Sequence, residues 1–141
     1  MKTFHSRISI RATADRIWSI LTDASRYQRW NPTVTKVEGR IATGERITVH
    51  ATISQRRAFP MDVVTADAPR KMVWRGGMPL GLFVGERVFT LTPRPGGGEV
   101  EFEMKESFTG LLAPLIGRTI PNLQPAFDEF AAALKREAEH A

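Results

Sequence analysis

Residues 86–109 read ERVFTLTPRPGGGEVEFEMKESFT, and this stretch decides the fold. Pro95-Gly96-Gly97-Gly98 is a turn signal between two runs that alternate apolar and polar residues, the pattern of a β-hairpin. With Arg94 facing Glu99, the pairs running back from the turn are Leu91 with Phe102, Phe89 with Met104 and Arg87 with Glu106. These three pairs share one face, because side chains alternate along a strand and a register is fixed by its turn. The other face carries Thr92 with Glu101, Thr90 with Glu103 and Val88 with Lys105, a set suited to water. The inward face is therefore apolar except for one arginine–glutamate couple, at the end far from the turn. A one-residue bulge near Glu106 would send its carboxylate outward.

Working outward from this hairpin, the rest of the chain falls into place. Phe4, Ser6, Ile8 and Ile10 alternate with His5, Arg7, Ser9 and Arg11, which predicts a half-buried first strand. At Thr13 the period changes. Ala14, Ile17, Trp18 and Leu21 are spaced for a helix, with Thr13 as its N-cap and Asp15 in its first turn. That helix ends near Thr22, and a second short one is expected over Ala24–Arg29. Asn31-Pro32 stops it, since a residue before proline resists the helical region. Strands are then expected at Thr33–Ile41, Glu45–Gln55, Arg57–Ala66, Lys71–Arg75, Glu86–Arg94 and Glu99–Thr109, with turns at Ala42-Thr43-Gly44 and Asp67-Ala68-Pro69-Arg70. After Gly110 the spacing becomes helical again. Leu123, Phe127, Phe130 and Leu134 form one stripe, and Pro114, Pro121 and Pro125 predict a broken first half before a clean second half.

Parity extends the inward set. A hairpin turning at Ala68-Pro69 pairs Val63 with Trp74 and Thr65 with Met72, so Met61, Val63, Met72 and Trp74 face in; Val64 and Val73 on the other side are left unexplained. Ile47, Val49, Ala51 and Ile53 also face in, and His50 faces out. Gly76–Gly85 is an apolar segment with four glycines, expected as a loop that either folds over an opening as a lid or tucks against the edge of the core. The whole describes an α+β domain over residues 1–141: a curved seven-stranded antiparallel sheet, two short N-terminal helices and one long C-terminal helix. That helix carries the only long apolar stripe able to cover the sheet's concave side.

The element order, with Ala14-Asp15-Arg16-Ile17-Trp18-Ser19-Ile20-Leu21-Thr22-Asp23 leading to Tyr27-Gln28-Arg29-Trp30-Asn31-Pro32, resembles the START-like (SRPBCC) superfamily. This is the helix-grip fold shared by polyketide cyclases, lipid-transfer START domains and the birch-pollen allergen family. Glu106-Ser107-Phe108-Thr109-Gly110-Leu111-Leu112 and the Phe127…Leu134-Lys135 helix fit its polyketide cyclase/dehydrase-like bacterial branch. The resemblance spans nearly the whole chain and specifies fold better than activity, because the superfamily holds carriers, enzymes and interaction proteins. It implies a deep, largely apolar cavity between sheet and long helix. The expected walls are Trp30, Met61, Val63, Met72, Trp74, Phe83, Phe89, Leu91, Phe102, Met104, Phe108, Leu123, Phe127 and Phe130, with Arg87 and Glu106 as the polar members.

Three roles compete for Arg87 and Glu106. They can form a structural ion pair that satisfies itself, they can anchor the polar end of a ligand, or Glu106 can serve as a general acid or base. An ordinary filled core is equally compatible with the apolar set. Trp30-Asn31-Pro32 either borders the opening or is a helix-stop packing corner, and Tyr27, on a short amphipathic helix, reads as a packing residue.

Composition excludes several classes. The 141 residues carry 42% hydrophobic and 25% charged side chains, a net charge of +5 and no cysteine. That length suits one domain, and a globule of this size removes roughly 70% of its unfolded surface from water. Disulfides, zinc–thiolate sites and cysteine nucleophiles are absent. His5 and His50 face out by parity and His140 lies in the tail, so neither a metal site nor a Ser–His–Asp triad converges. No metal or cofactor is expected. The fifteen arginines and five lysines are scattered singly or in pairs such as Arg56-Arg57, without interleaved aromatics, which argues against nucleic acid. The chain starts with alternation and lacks the apolar core of a signal peptide, and no run approaches the ~20 residues of a spanning helix, so a cytoplasmic location is expected.

The function these readings support is binding, as carrier or sensor, of a small hydrophobic molecule such as a lipid, isoprenoid or polyketide. An aromatase/cyclase-like enzyme on a polyketide-type substrate is the alternative. A protein-interaction module contacting through Arg26, Arg29, Arg56 and Arg57 is the third. The sequence leaves monomer and homodimer equally open.

Overall fold

The computed structural model describes residues 2–52 and 58–140. Ile53, Arg56 and Arg57, named above, lie outside the described residues. The strands are β1 (Lys2–Ile10), β2 (Val34–Glu38), β3 (Arg46–Ala51), β4 (Ala58–Asp67), β5 (Lys71–Met78), β6 (Phe83–Pro93) and β7 (Val100–Thr109). The helices are α1 (Ala14–Leu21), α2 (Tyr27–Trp30), α3 (Ala113–Ile116) and α4 (Gln124–Glu139). The strands form one antiparallel sheet in the order β1-β7-β6-β5-β4-β3-β2. It curls as a half-barrel around α4, so the α+β helix-grip architecture stands.

Local chemistry explains the boundaries. The Thr13 hydroxyl accepts a hydrogen bond from the Arg16 amide at 3.2 Å and opens α1, whose Ile17 and Leu21 are fully buried. The break expected before the long helix is present: α3 gives way to a 3-10 turn at Gly117–Thr119, and α4 restarts with Pro125 in its first turn. The β6–β7 register is the one read from the sequence, with Arg87 opposite Glu106, Phe89 opposite Met104 and Leu91 opposite Phe102.

Two expectations are corrected. The β4–β5 register holds at Val63 opposite Trp74, but a bulge follows, and Ala66 rather than Thr65 faces Met72. Placed in that bulge, Val64 is exposed, which accounts for an apolar residue on the wet side. Gly76–Gly85 is not a free loop: Gly76 pairs with Gly85, Gly77 with Val84 and Met78 with Phe83, so β5 and β6 run on to a tight turn at Pro79–Gly81. Glycine carries no side-chain alternation, so this part of the strand shows no periodic pattern. Gly77 adopts φ +138, and a Cβ there would stand 2.2 Å from the Phe83 carbonyl oxygen, so only glycine permits this hairpin.

The long helix runs alongside β1, an edge strand with one side unpaired by any neighbour. Gln124 replaces the missing strand: its Oε1 accepts from the His5 amide at 3.3 Å and its Nε2 donates to the His5 carbonyl at 2.6 Å. Further along, Lys135 Nζ donates to the Ser9 carbonyl at 2.7 Å, and Glu139 accepts from the Arg11 amide at 2.8 Å. Covering an edge in this way blocks pairing with other chains. It also fixes which face of α4 looks into the half-barrel, namely Phe127, Phe130, Ala131 and Leu134.

Candidate functional site

The interior has two unlike halves. Toward the turn at residues 94–99 it is solid. Trp74 meets Phe89 edge-on at 4.9 Å between ring centroids, Phe130 stacks on Phe102 at 6.3 Å, and Tyr27 lies 5.1 Å from Trp30 and 6.4 Å from Trp74. Val63, Met72, Leu91 and Met104 complete this packed zone, all essentially without solvent contact. Side chains here pack against one another across the space between the sheet and the long helix. Tyr27, read from sequence only as a packing residue, is at its centre, and its hydroxyl donates to the Leu21 carbonyl. Burial raises its phenol well above the ordinary value, against a weaker opposing pull from the charge of Arg87.

The other half faces the end of the sheet where β5 turns into β6. Here Met61, Phe83, Phe108 and Leu123 are half-buried, whereas the half-buried Trp30 of α2 belongs with Tyr27 and Phe130 in the packed half. Phe83 stacks on Phe108 at 5.7 Å, and Phe108 meets Phe4 edge-on at 6.3 Å. Two facing glycines, Gly76 and Gly85, line the inward face at this level. Met61 lies over the first, with its Sδ 2.6 Å from where a Cβ would be, and the Phe108 ring lies 3.1 Å from the corresponding point at Gly85.

Between the halves sit Arg87 and Glu106. Arg87 Nε donates to Glu106 Oε1 at 2.6 Å, with side chains 19% and 11% exposed. The guanidinium also lies 4.7 Å from the Phe127 ring centroid, a cation–π contact made from the covering helix. The couple is thus braced by both layers of the fold, and no bulge turns Glu106 away. Trp74 Nε1, on the cross-strand neighbour of Arg87, is buried without an acceptor, and so, elsewhere in the interior, are Trp30 Nε1 and Asn31 Nδ2. Buried N–H groups ordinarily find a partner, and one left alone costs about 1–3 kcal/mol. Sequence reasoning puts both tryptophans on the wall but misses this feature, because a missing partner is a property of the assembled interior.

Elsewhere the chemistry is sparse. His5 is hydrogen-bonded to Glu103 at 2.8 Å and His50 to Glu38 at 2.7 Å, both on the outer face. No cluster of three or more histidine, aspartate or glutamate side chains suited to a metal occurs among the described residues. Arg26 is paired with Asp23 at 3.5 Å. The described residues form open surface grooves. One of about 420 Å³ lies between Asp67–Lys71 and Thr90–Pro93, and another of about 330 Å³ between Arg29, Trp30 and the end of α4. No helix among the described residues is long and apolar enough to cross a membrane.

Comparison with known proteins places this geometry. Similar solved structures include a protein of Mesorhizobium loti (TM-score 0.74, 18% identity, 96% of this chain and 95% of that one). A START superfamily protein of Mycobacterium smegmatis follows the same path (TM-score 0.69, 17% identity, 97% of both chains). So does norcoclaurine synthase of Thalictrum flavum, solved as a point mutant with a transition-state analogue (TM-score 0.71, 16% identity, 97% and 93%). At these identities the likeness is one of fold. No curated protein sequence matches the chain. The family model described as polyketide cyclase/dehydrase and lipid transport matches residues 1–139, and the chain belongs to that family.

Proposed function

We propose that this protein binds a small hydrophobic molecule carrying a polar, hydrogen-bond-accepting end, as a carrier or sensor. The observation that carries this is the Arg87–Glu106 couple, a largely buried charged pair on the inward face, set at the boundary between a packed core and a half-buried aromatic rim. Apolar contact with Met61, Phe83, Phe108, Leu123 and Phe127 supplies affinity, since apolar area removed from water is worth about 25 cal/mol per Å². Met61 and Phe108 cover the glycine pair with single side chains, so rotation of either makes room along the inward face. Arg87 and the unpartnered Trp74 N–H then meet the acceptor end of the ligand. The family contains binders and cyclases alike, and binding is favoured here because Glu106 is already committed to Arg87 at 2.6 Å.

The test uses the chain's own tryptophans. Fatty acids, isoprenoids and aromatic polyketides are titrated while tryptophan fluorescence and melting temperature are followed, and freshly purified protein is weighed by native mass spectrometry. A saturable fluorescence change with a raised melting temperature, or a co-purifying mass, supports the proposal. Silence in both measurements removes it. Glu106→Gln separates carrier from enzyme: a cyclase loses turnover while binding persists, whereas a carrier changes only in affinity.

A further inference from the structure

The rim of the half-barrel has an outer side that the ligand reading leaves unexplained. Leu80 is 93% exposed, Leu111 82%, Leu115 66% and Met78 46%, four of the five exposed large apolar side chains among the described residues. All four lie on two turns that touch each other. The Leu112 amide donates to the Leu82 carbonyl at 2.8 Å, and a Cβ on Gly110, which adopts φ +114, would stand 2.6 Å from the Gly81 and Leu82 carbonyl oxygens. The result is one apolar prominence made of the β5–β6 turn and the α3 segment. Leu80 sits there at φ +61, a left-handed backbone that a branched side chain rarely adopts. The turn thus carries both conformational strain and an exposed leucine, a combination that persists where it serves a role.

Several features say what covers this prominence. In residues 76–85 and 109–123 the only charged residue is Arg118, in a chain where a quarter of all residues are charged. Lys2 reaches the same segment, donating to the Gly117 and Ile120 carbonyls, and the whole chain carries +5. Part of the polar backbone is satisfied from within. The amides of Leu82, Leu112, Ala113, Leu115 and Ile116 all donate inside the two turns, and Pro79 and Pro114 have no N–H. The leucines also project from convex turns and do not line a groove. Apolar tips, no carboxylate, and the cations Arg118 and Lys2 at the margin match an anionic bilayer surface.

We propose that the β5–β6 turn and the α3 segment dock this protein on anionic lipid bilayers, with Leu80, Leu111 and Leu115 entering the headgroup–acyl boundary and Arg118 meeting lipid phosphates. The proposal does not depend on the ligand reading, since the prominence lies outside the half-barrel.

Sedimentation with vesicles of phosphatidylglycerol and phosphatidylcholine, against phosphatidylcholine alone, is the test. The intact chain should bind the anionic vesicles preferentially. L80D/L111D/L115D should weaken that binding at least tenfold, and R118S should weaken it less while reducing its salt dependence. A melting temperature within a few degrees of the parent shows that the triple variant folds. If it does not fold, Leu80→Ser alone, at the most exposed position, must still lower binding several-fold. Absence of binding to anionic vesicles at low salt overturns the proposal. So does equal binding by the folded triple variant, which would make the attraction one of overall charge. A parent dimer that the triple variant converts to monomer in analytical ultracentrifugation also overturns it, assigning the prominence to a second copy.

Discussion

Arg87 and Glu106 face each other across β6 and β7, joined at 2.6 Å and roofed by the Phe127 ring at 4.7 Å from the guanidinium. Both charges have left most of their water, so each depends on the other. Removing one partner of a largely buried pair costs about 3–5 kcal/mol, whereas replacing both by apolar residues of similar volume is often neutral or stabilising. Arg87→Met should therefore lower unfolding free energy by about 3 kcal/mol, and adding Glu106→Leu to it should restore most of the loss. Urea unfolding of both single variants and the double variant checks this. A double variant as unstable as Arg87→Met would show that the couple contributes packing more than charge compensation.

Tyr27 gives a second prediction, clean because it is the chain's single tyrosine. Its buried hydroxyl donates to the Leu21 carbonyl, and burial holds the phenol protonated. A phenol whose folded value lies above its unfolded one contributes stability that is complete below the unfolded value and declines as pH rises beyond it. Ultraviolet titration near 295 nm should show no tyrosinate at pH 10–11 while the protein is folded, and its appearance should coincide with loss of circular dichroism. Tyr27→Phe should cost about 1 kcal/mol through the lost hydrogen bond.

How much of the fold can be read from the sequence depends on what each segment is made of. Between Glu86 and Thr109 a proline–glycine turn pins the register, and strict alternation names each partner, so the Arg87–Glu106 couple is legible in the residues alone. Val64 is not, because a bulge shifts parity without leaving a residue type that announces it. Gly76 and Gly77 hide the end of β5 for a similar reason, having no side chain with which to show a period. The unpartnered indole donors and the filled interior around Tyr27 are beyond reach altogether. Both depend on rings brought together from α2, β5, β6, β7 and α4, a long-range fact that no local pattern encodes.

The edge of β1 supplies a third prediction. Gln124 makes the two backbone contacts a neighbouring strand would make at His5, and Gln124 Nε2 is also shared with Asp128 at 2.9 Å. Gln124→Ala should leave the global fold intact at a cost of about 1 kcal/mol, typical of an exposed hydrogen-bonded pair of contacts. Its sharper effect is local. The His5 amide should exchange its hydrogen severalfold faster, while amides of β6 and β7 keep their protection. Unchanged exchange at His5 would mean that the packing of α4, and not this side chain, shields the edge.

Glu139 ties the end of α4 to the residue that follows β1. Its carboxylate accepts from the Arg11 amide at 2.8 Å and from Lys135 Nζ at 2.7 Å, and these bonds lower its pKa from the ordinary 4.5 to about 2. A depressed carboxylate contributes stability that is present above the unfolded value and is lost as pH falls through the folded one. The parent should therefore lose melting temperature between about pH 4.5 and 2 from this group. Glu139→Gln, which cannot titrate, should start lower at neutral pH and show a shallower fall across that window. The Arg11 amide can still donate to the glutamine carbonyl, so the difference isolates charge from hydrogen-bond geometry. Parallel acid profiles for the two proteins would mean that Lys135, freed to donate only to the Ser9 carbonyl, holds the helix end without Glu139.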